Sequence, residues 1–231
     1  MTRGRLALAG FLLTFLCACS SDATLDASRE PQPSPELLLG RAASATGLLE
    51  TLHFRLEHKN GTSPLPLGLR LVTAEGDVGA PDRLKARVRA KSGSLNIDVD
   101  VTSVNDRTWI TNPFSRQVQE LPGANLRDIT DPLALLAVLT RELRDVRVVG
   151  REKLDGVETY HLTGTIDSSR LDSVLPVEPG HSVEAEIWIG RDDSLPRRLQ
   201  LNGAMTSADA NNIVRRVDFS RFNEKVEIAP P

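Results

Sequence analysis

Hydrophobic and polar positions alternate without a break over 84–91, where Leu84, Ala86, Val88 and Ala90 interleave with Lys85, Arg87, Arg89 and Lys91. The alternation resumes with Leu95, Ile97, Val99 and Val101 set against Asn96, Asp98 and Asp100. A period of two marks strands with one dry and one wet face, and Ser92-Gly93 between them marks a hairpin turn. A two-residue turn at that dipeptide predicts Lys91 opposite Ser94, Arg87 opposite Asp98 and Lys85 opposite Asp100. On the aliphatic face it sets Val88 against Ile97 and Ala86 against Val99. A slip of one residue would transpose both faces, so the face assignment is the firm part of this reading.

The same alternation recurs upstream, with Leu52, Phe54 and Leu56 against His53, Arg55 and Glu57. Asn60-Gly61 then turns the chain toward Leu67, Leu69 and Leu71. Further strands are predicted at 107–111, 116–121, 146–153, 158–166, 182–189, 196–204 and 213–222. Helical spacing appears twice. Leu38, Ala42, Ala45, Leu48, Leu49 and Leu52 predict a helix over 36–52, opened by Ser34-Pro35. Asp131-Pro132 would cap and start a second helix carrying Leu133, Leu136 and Leu139, whose run through Leu139 is apolar on every side and would need cover all round. A short helix is expected from Asp167 or Ser168 through Leu171, and Gly76–Pro81 and Pro176–Gly180 read as turns. These elements add up to an α+β domain, a large curved antiparallel half-barrel with a few helices on its concave face.

The first 35 residues follow other rules. Arg3 and Arg5 precede an uncharged run from Leu6 to Leu16, the n-region and h-region of a secretory signal peptide and too short to span a membrane. Leu16-Cys17-Ala18-Cys19 resembles the lipobox of bacterial lipoproteins, with cleavage after Ala18 and lipid on the Cys19 thiol. Removal of residues 1–18 leaves 213, enough for one domain with a sizeable core. Both cysteines lie in this window, so none remains for an internal disulfide. A diacylglycerol and an N-acyl chain such as palmitate on Cys19 would supply the two or more chains that stable anchoring requires. Residues 19–35, with Pro31, Pro33 and Pro35 alternating, form a solvated tether that reaches roughly 50 Å when extended. The expected location is therefore the extracytoplasmic face of the cell membrane, with residues 36–231 as a single domain on a lipid leash.

Charge narrows function by exclusion. Lys and Arg number 28 against 31 Asp and Glu, which leaves no nucleic-acid footprint. Aromatics are 4% of the chain, so the core is aliphatic. His53, His58, His161 and His181 show no metal-ligand spacing, and no nucleophile elbow surrounds a serine; no metal, cofactor or catalysis is expected. His161 reads as a surface or capping residue, and Asp98 and Asp100 as members of a cross-strand charge ladder with Lys85 and Arg87.

Several segments together resemble the LppX/LprA/LprF/LprG lipoproteins. They are Ala74–Asp77 followed by Ala80–Arg83, then Trp109–Pro113, Leu154–Gly164, Trp188-Ile189, Leu195–Arg198 and Phe219–Pro231. The resemblance covers nearly the whole domain and is carried by order and spacing. It implies a curved sheet similar to the carriers LolA and LolB, a cavity for acylated lipid or glycolipid, transfer within the envelope and an envelope transporter as partner. Under that reading Leu52, Phe54, Leu56, Leu69, Leu71, Val88, Leu95, Ile97, Val99, Val101, Leu133, Leu136 and Leu139 line the cavity of a monomer. From pattern alone the same residues fit a packed core. Two other functions stay open: a structural or signalling lipoprotein that binds a protein partner, and an envelope hydrolase.

Overall fold

Hydrogen bonding follows the period-two runs almost throughout. The computed structural model describes residues 32–65, 68–122 and 132–231. Helix α1 is Pro35–Thr46 and α2 is Pro132–Glu142. The strands are β1 Thr51–Lys59, β2 Ser63–Pro64, β3 Arg70–Gly79, β4 Arg83–Ser92, β5 Leu95–Val104, β6 Arg107–Thr111 and β7 Val118–Glu120. They continue with β8 Arg144–Leu154, β9 Val157–Asp167, β10 Ser182–Gly190, β11 Pro196–Asn202 and β12 Val214–Ser220. All join one antiparallel sheet in the order β7-β6-β5-β4-β3-β1-β12-β11-β10-β9-β8, with β2 added against β3. Every described pairing is antiparallel, and the sheet is open and curved, with both helices on its apolar side.

The expected fold class holds. Helix α1 stops earlier than its periodicity suggests, at Thr46 rather than Leu52. Ser34 Oγ caps it by accepting from Leu37 N–H, and past Gly47 the chain is drawn into β1, where Leu52 is fully buried. Leu38, Leu39 and Ala42 of α1 pack on Tyr160, Leu162, Ile187 and Ile189 of β9 and β10. Helix α2 buries Leu135, Leu136, Val138 and Leu139 against β1, β3, β11 and β12, yet leaves Ala137 exposed. Its all-apolar surface is therefore not covered all round, a methyl group costing little in water. The predicted cap Asp131 and the expected Leu67 lie outside the described residues. The short helix at 168–171 is a single 3-10 turn, Ser168–Arg170, capped by Asp167.

Two expectations fail where glycine decides. The β4–β5 loop is Gly93-Ser94, not Ser92-Gly93, so Arg87 pairs with Asp100, Arg89 with Asp98, Val88 with Val99 and Ala90 with Ile97. Gly93 takes φ +60° as the first loop residue, the place where a type II′ turn requires it. The register moves by two, so each residue keeps its face but changes partner. Gly76 is not in a turn but in the middle of β3, between Phe54 and Ala86. A Cβ there would lie 2.2 Å from Lys85 O, so only glycine lets β4 approach this closely. The turn itself is confined to Ala80–Asp82. A bulge at Val72 then lets both Leu71 and Ala74 face the core.

Candidate functional site

Strand direction places five connections at one end of the sheet, here the upper end. They are the β1–β3 connection (60–65 and 68–69 described), the Gly93-Ser94 turn, the β6–β7 turn, residues 168–181 and residues 203–213. Beneath them the apolar side changes character along its length. Leu52, Phe54, Leu71, Leu136 and Leu139 are buried in one cluster that also takes in Leu171, Val174 and Met205 from the upper connections. Leu56, Val88 and Leu133 are half-buried against that cluster. Along β5 the same face opens progressively toward its upper end: Val101 is buried, Val99 and Ile97 are half-buried, and Leu95 is exposed. Leu69 is half-buried just before β3.

The thirteen residues selected from sequence thus come from one side of the sheet and from α2. The structure brings most of them into a packed core and leaves the β5 group as a half-open aliphatic trough. A pocket between Leu56, Leu65, Leu71, Leu175, Pro176 and Met205 measures about 30 Å³. That holds a water or two and not an acyl chain.

A polar cluster forms the rim of this pocket. Arg215 donates from Nη2 to Asp209 Oδ2 at 2.6 Å, from Nη1 to Gly203 O at 3.2 Å and from Nε to Ser63 Oγ at 3.0 Å. Ser63 is 2.8 Å from His58 Nε2, and His58 Nδ1 lies 3.1 Å from Val72 O. Val72 O can only accept, so the hydrogen of the neutral His58 ring is on Nδ1, and Nε2 accepts the Ser63 hydroxyl proton while the serine oxygen accepts from Arg215. Burial agrees with this, pulling the His58 pKa from 6.5 to about 4 against the Val72 hydrogen bond. Burial pushes the Asp209 carboxyl up, but Met205 N–H, Arg215 and Thr206 N–H outweigh it and hold the group below its ordinary range. Arg215 is drawn down by burial, against the pull of Asp209, and as a guanidinium stays charged.

These residues were missed at the sequence level although a signal existed. On the inward positions of β12 the chain reads Arg215, Val217, Phe219, and on those of β1 it reads Leu52, Phe54, Leu56, His58. A polar side chain at a dry position needs a partner, and the two face each other across the β1–β12 pair.

The opposite face is charged. Arg87 and Arg89 bond Asp100 and Asp98 at 2.9 and 2.8 Å, which confirms a ladder, although Lys85 faces Thr102. His161 is not a surface residue. It is buried between Glu152 and Glu186, each 2.8 Å from a ring nitrogen, and stacks on Trp188 at 4.1 Å. The Trp188 indole N–H, with His161, holds the Glu152 carboxyl below its ordinary range. After β12 the chain crosses this face and buries Ile228 between Val104 and Trp109. A cavity of about 1170 Å³ lies there, lined by His53, Arg55, Glu75, Asp77, Lys85, Arg87, Arg89, Asp98, Asp100 and Glu227. It is the larger space by far, but its charged walls suit no acyl chain. Among the described residues no group of three or more His, Cys, Asp or Glu is placed to hold a metal ion, and no helix is long and apolar enough to cross a membrane.

Residues 34–228 match the LppX_LprAFG lipoprotein family. The lipoarabinomannan carrier protein LprG of Mycobacterium tuberculosis is 25% identical over 231 residues, covering 98% of this chain and 93% of that protein. The putative diacylated glycolipid transporter LprF of the same species is 26% identical over 213 residues, 88% of this chain and 77% of that one. Among solved structures, LprF from Mycobacterium bovis superposes with a TM-score of 0.68 at 18% identity, covering 88% of this chain and 99% of that one. The M. tuberculosis lipoprotein LppX gives 0.61 at 19% identity, with 84% and 98% covered. The fold is shared with both.

Proposed function

The chain belongs to the LppX_LprAFG lipoprotein family, and from that premise we propose that it carries an acylated lipid or glycolipid within the bacterial envelope. Cys19 is the lipidated residue after removal of residues 1–18, and residues 19–35 tether one monomeric domain to the extracytoplasmic face of the membrane. Relatives named as a lipoarabinomannan carrier and a glycolipid transporter support the cargo class. The observation that carries the reading is the single aliphatic side of the sheet, packed under α2 and open along Leu95, Ile97 and Val99.

Carriage needs no bond chemistry. An acyl chain enters along the β5 trough and is accommodated as α2 and the upper connections lift from the face they now cover. Each methylene transferred from water to such a surface is worth about 0.8 kcal/mol. Leu56, Val88, Leu133 and the β5 residues meet the chain first, and Leu52, Phe54, Leu69, Leu71, Val101, Leu136 and Leu139 line the space behind. An envelope transporter would hand over or accept the cargo.

One observation favours the second reading, a lipoprotein that binds a protein partner: the core under α2 is filled and its pocket is small. Native mass spectrometry of the protein extracted gently from its membrane separates the two. Bound lipid, and uptake of labelled lipid by the emptied protein, are expected. Consistently empty protein with no uptake overturns carriage.

A further inference from the structure

The Gly93-Ser94 turn and the β6–β7 turn lie at the upper end of the sheet, beside the open end of the β5 trough. Asn112 closes the second turn. Its N–H reaches Gln117 O at 2.8 Å, and its carbonyl accepts from Arg116 N–H at 2.9 Å. Its side-chain oxygen accepts from Phe114 and Ser115 N–H at 2.9 and 3.0 Å. The ordered turn holds the Phe114 ring in solvent at 78% exposure, the one exposed aromatic among the described residues. Leu95, at 53%, is exposed on the neighbouring β4–β5 hairpin on the aliphatic side with Ile97, whereas Val118, opposite Thr111, belongs to the charged side.

Within the two turns the charge has one sign, and the carboxylates beyond them, Asp98 and Glu120, are paired with Arg89 and Arg107. No Asp or Glu occurs from Leu84 to Ile97 or from Arg107 to Gln119. Lys91 and Arg116 stand exposed at the two turns, and neither makes an ion pair among the described residues. An aromatic ring held beyond a backbone turn, an exposed leucine at the next turn and unpaired cations at both is the arrangement that seats a protein at the headgroup level of a bilayer.

We propose that these two turns dock directly on an anionic membrane surface, with Phe114 and Leu95 at the acyl boundary and Lys91 and Arg116 on lipid phosphates. The contact is separate from the Cys19 anchor. It rests on the carrier reading in one respect: docking sets the open end of the trough against the lipid source.

The domain Pro33–Pro231 contains both helices and all twelve strands of the described residues, with their core, so it folds without the leash and isolates this contact. It is floated with vesicles of pure phosphatidylcholine and with equimolar phosphatidylcholine and phosphatidylglycerol. Flotation with the anionic vesicles, weakened by salt, is expected. Lys91→Gln and Arg116→Asn should each lower partition about fivefold. Phe114→Asp should abolish flotation while leaving the melting temperature unchanged, since most of the ring already lies in solvent. Absence of flotation in the parent domain, or unchanged flotation of Phe114→Asp, overturns the proposal. So does a dimer seen by sedimentation without vesicles and lost in Phe114→Asp, which would assign the patch to a second copy. Uptake of labelled lipid from detergent dispersion needs no bilayer and tests carriage separately. Phe114→Asp should keep that uptake, and its loss in the parent domain would sink carriage alone.

Discussion

Arg215 donates to Asp209 at 2.6 Å with 7% and 0% of the two side chains exposed, on the predominantly apolar side of the sheet. The pair joins strand β12 to the 203–213 connection, and through Ser63 to strand β2, over the small apolar pocket. Breaking it leaves a guanidinium without its counter-ion in a sealed place. Asp209→Asn should therefore cost about 3 kcal/mol, read as a lower denaturant midpoint at unchanged slope. Replacing both residues by apolar ones should cost less than the single change, because no charge is then stranded. Equal costs would mean that the ion pair does not hold the connections.

His58 beside this pair gives the domain a pH dependence of definite sign. Burial keeps the folded-state pKa at about 4, whereas the unfolded chain has the ordinary 6.5. Below pH 6.5 the unfolded state takes up a proton that the folded state refuses. The His58 contribution is thus complete above about pH 6.5, shrinks as pH falls toward 4 and is constant below that. Its size is at most about 3 kcal/mol. The difference in unfolding free energy between the parent and His58→Gln, followed from pH 7 to pH 4, should trace this curve. A flat difference would place the imidazole in solvent.

The legibility of the fold in the sequence has a physical basis in these same positions. Strand faces could be read because alternation reports burial directly, and β6 was placed at 107–111, the bounds it has in the structure. Partners across the β4–β5 hairpin were misplaced because a glycine in a turn can take either central position, and only the backbone shows that Gly93 is first. The aliphatic strand candidates share one side of the sheet, but alternation cannot separate Leu52, packed on every side, from Ile97, half open on one. That distinction depends on how far α2 reaches. The His58–Arg215 pairing was hidden for another reason: the two lie 157 residues apart and meet only through the return of β12 to β1.

The reach of α2 can be tested through its two leucines. Leu136 is fully buried in the central cluster, and Leu133 is half-buried at its margin. Leu136→Ala should cost about 3 kcal/mol by lost transfer energy and the cavity left behind, and Leu133→Ala clearly less. Unfolding in urea measures both. Under the carrier reading, lipid bound by the parent fills part of the space opened in Leu136→Ala. Added lipid should then raise the midpoint of that variant at least as much as that of the parent.

The β5 trough supplies the sharpest test of where an acyl chain lies. Ile97 points to the apolar side, pairs with Ala90 and is half-buried, so a carboxylate at this position can still reach water and leave the hairpin formed. An acyl chain passing over it would meet a charge in place of a methyl-rich surface, and desolvating that charge costs several kcal/mol. Ile97→Glu should therefore keep the melting temperature within a few degrees of the parent while labelled-lipid uptake falls more than tenfold. Asn96→Glu on the opposite face is the control and should change neither. If Ile97→Glu takes up lipid as the parent does, the acyl chains enter elsewhere along the apolar side.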